Sequence, residues 1–295
     1  PAAANIPLNA MSTHYSSIIN KGKGAIWLAS NGFGITEIKD GKAKIIDDRT
    51  SSIVKDRYVN TLYRSKQGIL FVGEKKHLNY QLPSGKSFTC MQGVDVRGIT
   101  EDHKGNIWIA TENQGIIRIS GNFSMPKSLA FRYYNAAHGN FIINDATNCQ
   151  EDSKHRLWAI SKGGGLFKYD EKEDKFESVC HDFHWDIDRI FSIIEDCNGN
   201  IWLTTANALI CLQWDEQGKA QYTIYTQEDG LGEPIFQNNS CFRYNNELYF
   251  GAGRNLIHFD AAQLNAHRKG MQAANIIITD LLIDGKRYSE LDSTL

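Results

Sequence analysis

Asp102-His103-Lys104-Gly105-Asn106-Ile107-Trp108 returns further along the chain as Asp196-Cys197-Asn198-Gly199-Asn200-Ile201-Trp202. Weaker copies are Gly22-Lys23-Gly24-Ala25-Ile26-Trp27, Asp152-Ser153-Lys154-His155-Arg156-Leu157-Trp158, Gln67-Gly68-Ile69-Leu70-Phe71 and Asn246-Glu247-Leu248-Tyr249. The aromatic anchors Trp27, Phe71, Trp108, Trp158, Trp202 and Tyr249 recur every 37 to 50 residues. That period is the length of one propeller blade.

Each copy sits in the same surroundings. In the fifth repeat an apolar run, Ile190 to Glu195, ends in an acid. A Gly-containing turn leads to Ile201 to Thr205, then Leu209 to Leu212. The turn Glu216-Gln217-Gly218-Lys219 leads into Ala220 to Tyr225. The third repeat reads Val96 to Glu101, Ile107 to Thr111, Ile116 to Ile119 and a long stretch to Tyr134. The fourth reads Thr147 to Glu151, Leu157 to Ser161, Leu166 to Tyr169 and Lys175 to Val179. Four short antiparallel strands per repeat make a blade, so the spacing predicts an all-β propeller.

In such a blade the recurring Trp fills the gap to the neighbouring blade, a packing role rather than sugar stacking. Asp102 and Asp196 accept turn N–H groups, and Gly105 and Gly199 supply a positive φ. The oxygen-ligand spacing of a calcium loop is missing. Six repeats are visible. Either six blades close, or the ring has seven and one lies outside the sequence.

The expected organisation is residues 1–17 as an N-terminal segment and 18–265 as the propeller. Residues 266–295 read as a linker and the first strand of a small β-domain. Asn5 to Met11 is a candidate outer strand for the last repeat. The chain starts at Pro1 without Met and stops just after the β-rich run Asn275 to Ile283, so it reads as a piece of a longer protein.

The net charge of −2 gives no electrostatic case for nucleic acid. No apolar run approaches the roughly 18 residues of a membrane span. Six scattered cysteines form no Cys-x-x-Cys; their even number permits disulfides in an oxidising compartment, and the plainer reading is small buried apolar groups. Pro83-Ser84-Gly85-Lys86-Ser87 imitates the end of a phosphate loop but has Tyr80 where the leading Gly belongs, so it reads as a hairpin turn. Cys180-His181-Asp182-Phe183-His184 reads as an exposed polar loop rather than a metal site. No catalytic residue, cofactor or metal is assigned.

The repeats resemble the two-component regulator propeller. Its hallmark appears as Glu101-Asp102-His103-Lys104-Gly105-Asn106-Ile107-Trp108-Ile109-Ala110-Thr111, followed by Gly115-Ile116-Ile117. Glu247-Leu248-Tyr249-Phe250-Gly251-Ala252-Gly253 through Phe259 resembles the closing blade of such a sensor. Ile276 to Leu282 resembles the entry to its membrane-proximal immunoglobulin-like domain. Two positions depart from the pattern: the second repeat is degenerate, and His155 stands where Gly is usual.

The resemblance implies the periplasmic sensor of a hybrid two-component system of Bacteroidetes type, with a histidine kinase and the membrane crossing outside this sequence. It implies an oligosaccharide ligand, a neighbouring propeller and a homodimer partner. The loops joining second to third strands, and blade to blade, share one face. The ligand candidates there are Phe33, Tyr58, Arg97, Trp185, Arg189, Phe236, Asn238 and Arg254. They mix rings with amides and guanidinium groups, as sugar binding requires. The competing readings are a propeller lyase or glycan hydrolase, and a protein-interaction scaffold.

Overall fold

The computed structural model describes residues 15–161, 163–179, 189–215, 217–232, 234–264, 282–283 and 286–287. The repeats fold as six radial antiparallel sheets, covering 15–46, 59–92, 96–134, 148–178, 192–225 and 236–260. Among the described residues blades one to five have four strands each and blade six has three. Blade three is representative: Val96–Glu101, Ile107–Thr111, Ile116–Ser120 and Ala130–Tyr134. The first strands of successive blades pack side by side around the axis. The expected four-stranded parse holds to within a residue or two at most ends. The first blade begins at Tyr15, ahead of the expected boundary. The proposed extra strand at Asn5 to Met11 lies outside the described residues. Leu282–Ile283 pairs antiparallel with Lys286–Arg287.

The repeated phrase has a physical explanation. Asp102 Oδ1 accepts the N–H groups of Lys104 and Asn106, at 3.0 and 2.8 Å. Its other oxygen accepts Trp108 Nε1–H at 2.8 Å. Asp152 and Asp196 do the same for Trp158 and Trp202, each at 2.9 Å. In blade one, where the turn has no acid, Glu37 takes the Trp27 indole N–H at 2.8 Å. The acid therefore closes the turn and satisfies a buried indole donor, which would otherwise cost free energy. Gly105 and Gly199 hold φ of +81° and +78° in these turns.

Second strands alternate their side chains between two faces. The Trp face looks to the next blade: Trp27, Phe71, Trp108, Trp158 and Trp202 are all buried in successive inter-blade clusters. The opposite face carries small aliphatic residues, such as Ile107 and Ile109, which receive the preceding blade's ring. Cys149 and Cys241 pack within these clusters, and burial pushes both thiols up to about 12. Pro83 to Ser87 is the hairpin turn expected, with Leu82 N–H donating to Lys86 C=O at 2.9 Å.

Candidate functional site

The alternation that packs five junctions leaves two faces uncovered among the described residues. Blade six presents Tyr249 where earlier blades present Trp or Phe. Its ring stacks on His258, at 5.5 Å between centroids. Phe242 and Leu256 share that face through the register Phe242↔Tyr249 and Gly251↔Leu256, and both are exposed. Blade one presents the aliphatic face, with Ile18 paired to Leu28, and Ile26 beside it; Ile18 and Ile26 are exposed. Between the two faces runs a cleft of about 1070 Å³ that reaches the axis.

The base of the cleft differs from its walls. Asn60, Arg97 and Thr147 lie at the heads of the first strands of blades two, three and four, and Gln237, Asn238 and Asn239 lie on the first strand of blade six. Asn239 crosses the axis, donating to the carbonyls of Arg97 and Thr147 at 3.4 and 3.2 Å. It holds φ +54°, a left-handed conformation that Asn tolerates better than most residues. Its buried Oδ1 has no hydrogen-bond partner among the described residues. Asn60 donates to Asp95 Oδ1 at 2.9 Å and to Val96 C=O at 3.0 Å. Arg97 pairs with Asp95 and with Glu112. The described lining thus carries amides, hydroxyls and one compensated guanidinium, with the rings of Tyr15, Phe242 and Tyr249 on its flanks.

Of the eight residues expected from sequence, Arg97 and Asn238 line this cleft. Phe33 and Tyr58 are exposed rings, 49% and 47% accessible, on the same loop face. Asn31, which bridges to Tyr58, joins them to the cleft lining. Arg254 is exposed beside Gly253, a lining residue, and Arg189 is exposed ahead of the first strand of blade five. Phe236 is only 4% exposed and packs in the core between blades five and six, so its ring serves the fold there. Trp185 lies outside the described residues, as does Cys180 to His184. Sequence reasoning missed Asn60, Thr147 and Asn239. A usable signal was the apolar–polar pair heading the first strand: Val59-Asn60, Val96-Arg97, Ala146-Thr147.

Comparison with known proteins bears on this architecture. Residues 90–113 match the family described as the two-component regulator propeller. The chain is 26% identical over 192 residues to histidine kinase P4 of Formosa agariphila, covering 64% of this chain and 13% of that protein. The chain therefore spans a small part of that relative's length. The extracellular domain of a hybrid two-component system from B. thetaiotaomicron superposes with a TM-score of 0.61 at 17% identity, over 94% of this chain and 44% of the other. Virginiamycin B lyase from Staphylococcus aureus superposes with a TM-score of 0.56 at 16% identity, over 84% of each chain. At these identities the superpositions establish the propeller fold and no more. Among the described residues, no helix is long and apolar enough to cross a membrane.

Proposed function

We propose that this chain, a propeller of two-component regulator repeats, is the extracytoplasmic ligand-sensing domain of a receptor that signals through a histidine kinase. Its ligand is an oligosaccharide, taken at the polar base of the axial cleft. The observation that carries this reading is the convergence of Asn60, Arg97, Thr147, Asn238 and Asn239 from four blades beneath the Tyr15, Phe242 and Tyr249 rings. Amides and a guanidinium bridge hydroxyl groups, and rings cover apolar sugar faces. The sequence match to a histidine kinase supports the signalling half of the reading. A periplasmic location belongs to the same reading.

A lyase or hydrolase is the rival, because lyases share the fold. The described lining favours binding over turnover. The nearby acids Asp95 and Glu112 are paired with Arg97, His258 is stacked on Tyr249, and Cys241, the one thiol of the described lining, is held far from the thiolate by burial. General acid–base or nucleophilic chemistry needs such groups in reach of the substrate. The test is to incubate the chain with neutral and acidic oligosaccharides, follow thermal stability, and then recover the sugars for mass spectrometry. A sensor raises Tm with one class and returns it unchanged. A hundredfold excess over Kd corresponds to about 2.7 kcal/mol of stabilisation. Cleaved or eliminated product would establish the enzyme instead.

A further inference from the structure

On the face opposite the cleft mouth, blades three and four meet through a group of side chains that the sensing reading does not use. First strands start at the mouth and end at the far face, so Glu151, at the end of its strand, lies there together with the turns that follow Glu101 and Glu151. Elsewhere the acid ending a first strand clamps the backbone of the preceding blade's turn. Glu101 accepts Lys66 N–H at 2.6 Å, and Glu195 accepts Ser153 N–H at 2.9 Å. At the junction of blades three and four, Glu151 meets side chains instead. One oxygen lies 2.7 Å from His103 Nδ1 and the other 3.7 Å from His155 Nδ1. The two imidazoles are 4.3 Å apart between centroids. One ligand atom from each of the three residues falls within 4.8 Å of the others.

His155 stands out for a second reason. It occupies the turn position where blades one, two, three and five have Gly24, Gly68, Gly105 and Gly199, all with positive φ. His155 adopts φ +62° in their place. Asn245 in the blade-six turn also holds a positive φ, +55°, and what sets His155 apart is that its ring meets both Glu151 and His103. The lysines of the same turns point elsewhere. Lys104 pairs with Glu171, and Lys154 lies over the Trp214 ring. No ammonium group therefore competes for Glu151 from either turn.

We propose that His103, Glu151 and His155 form a divalent transition-metal site of the zinc class, clamping blade three to blade four. Two imidazoles and a carboxylate are a donor set that zinc accepts, with bonds of about 2.0–2.2 Å and a remaining position for water. Small side-chain rotations bring the three donors to a common centre, with the metal taking the place of the direct His103–Glu151 contact. Both histidines are partly exposed, so the ion has a direct path from solvent. The sequence pattern hides the site because His103 and Glu151 are 48 residues apart.

The test uses the whole chain stripped with chelator. Zinc is titrated calorimetrically, and cobalt(II) is added as a visible-absorption probe of coordination. Wild type is expected to bind one zinc ion, gain Tm, and give the d–d bands of imidazole-bound cobalt. His103→Ala should weaken zinc on the order of tenfold or more. His155→Gly is the decisive variant, since glycine fits the turn. It should raise Tm without metal and lose the zinc-dependent gain. Zinc affinity unchanged in both variants would place any bound ion elsewhere, for example at Cys180 to His184, and overturn the assignment. Failure of the wild-type chain to bind zinc would overturn it equally.

Discussion

The Trp–acid pair is the unit from which the ring is built. Trp202 is fully buried and stacks on Tyr225 at 5.7 Å, while its N–H is held by Asp196. Trp202→Ala should cost about 3–5 kcal/mol through lost burial and cavity formation. Asp196→Ala keeps the ring but strands its N–H and two turn donors, and should cost about 1–3 kcal/mol. Urea unfolding of both variants checks the order. Equal, negligible losses would remove the pair from the account of the fold. These residues were legible in the sequence because acid and ring lie six positions apart, within a single turn and strand.

Glu74 makes a different statement at the same scale. Burial pushes its carboxyl up to about 7, against the opposing pull of the Lys55 and Asp56 N–H groups. His77 Nδ1 lies 3.3 Å away without forming a hydrogen bond. The sign of the pH effect follows. Below about 4.5, the usual carboxyl value, folded and unfolded chains both carry the proton, and this group costs the fold nothing. Between there and about 7 the unfolded chain ionises while the folded one resists, so stability falls as pH rises. It then levels off, after a loss on the order of 3 kcal/mol at about 1.4 kcal/mol per pH unit. Glu74→Gln should flatten this slope in a Tm–pH series. Parallel slopes for variant and wild type would refute the assignment to Glu74.

At the scale of the element, the first strands approach so closely that side chains are excluded at fixed points. A Cβ on Gly98 would lie 2.6 Å from Asn148 Oδ1 and 3.0 Å from Asn148 Cα. Gly98→Ala should push the first strands of blades three and four apart and cost about 1–3 kcal/mol by overpacking. A Tm equal to wild type would mean that the strands slide freely. Strand order and blade count were legible because each blade is one contiguous segment with its own turn signals. Uncovered walls were not. Tyr249 reads in sequence like the other anchors, and only the absence of a described sheet beyond it leaves its ring facing a cleft.

For the whole molecule, the site depends on distances that no local pattern reports. Asn239 meets Arg97 across 142 residues and Thr147 across 92. Arg97 and Asn238 were found from sequence because each is a charged or amide side chain near the mouth-side start of a first strand. Asn60 and Thr147 were missed because each alone is an ordinary strand-end residue. They gain meaning only when the ring closes around them. The same closure puts Phe236 in the core, although its neighbours Gln237 and Asn238 face the cleft. For signalling, ligand must bind one receptor arrangement more tightly than another, since equal affinity shifts nothing. A site spanning four blades can meet that condition, because any relative movement of the blades changes its shape.

The central claim is that the axial cleft binds an oligosaccharide. The direct test is calorimetric titration of wild type and Asn238→Ala with the sugar that raises Tm. Asn238 is exposed at the cleft, so its loss leaves the core intact. Removing one well-placed polar contact should weaken binding by about 1–3 kcal/mol, roughly five- to 150-fold in Kd, with the Tm of the free protein unchanged. An unaltered Kd in Asn238→Ala, repeated in Arg97→Ala, would contradict the account and place the ligand elsewhere on the propeller.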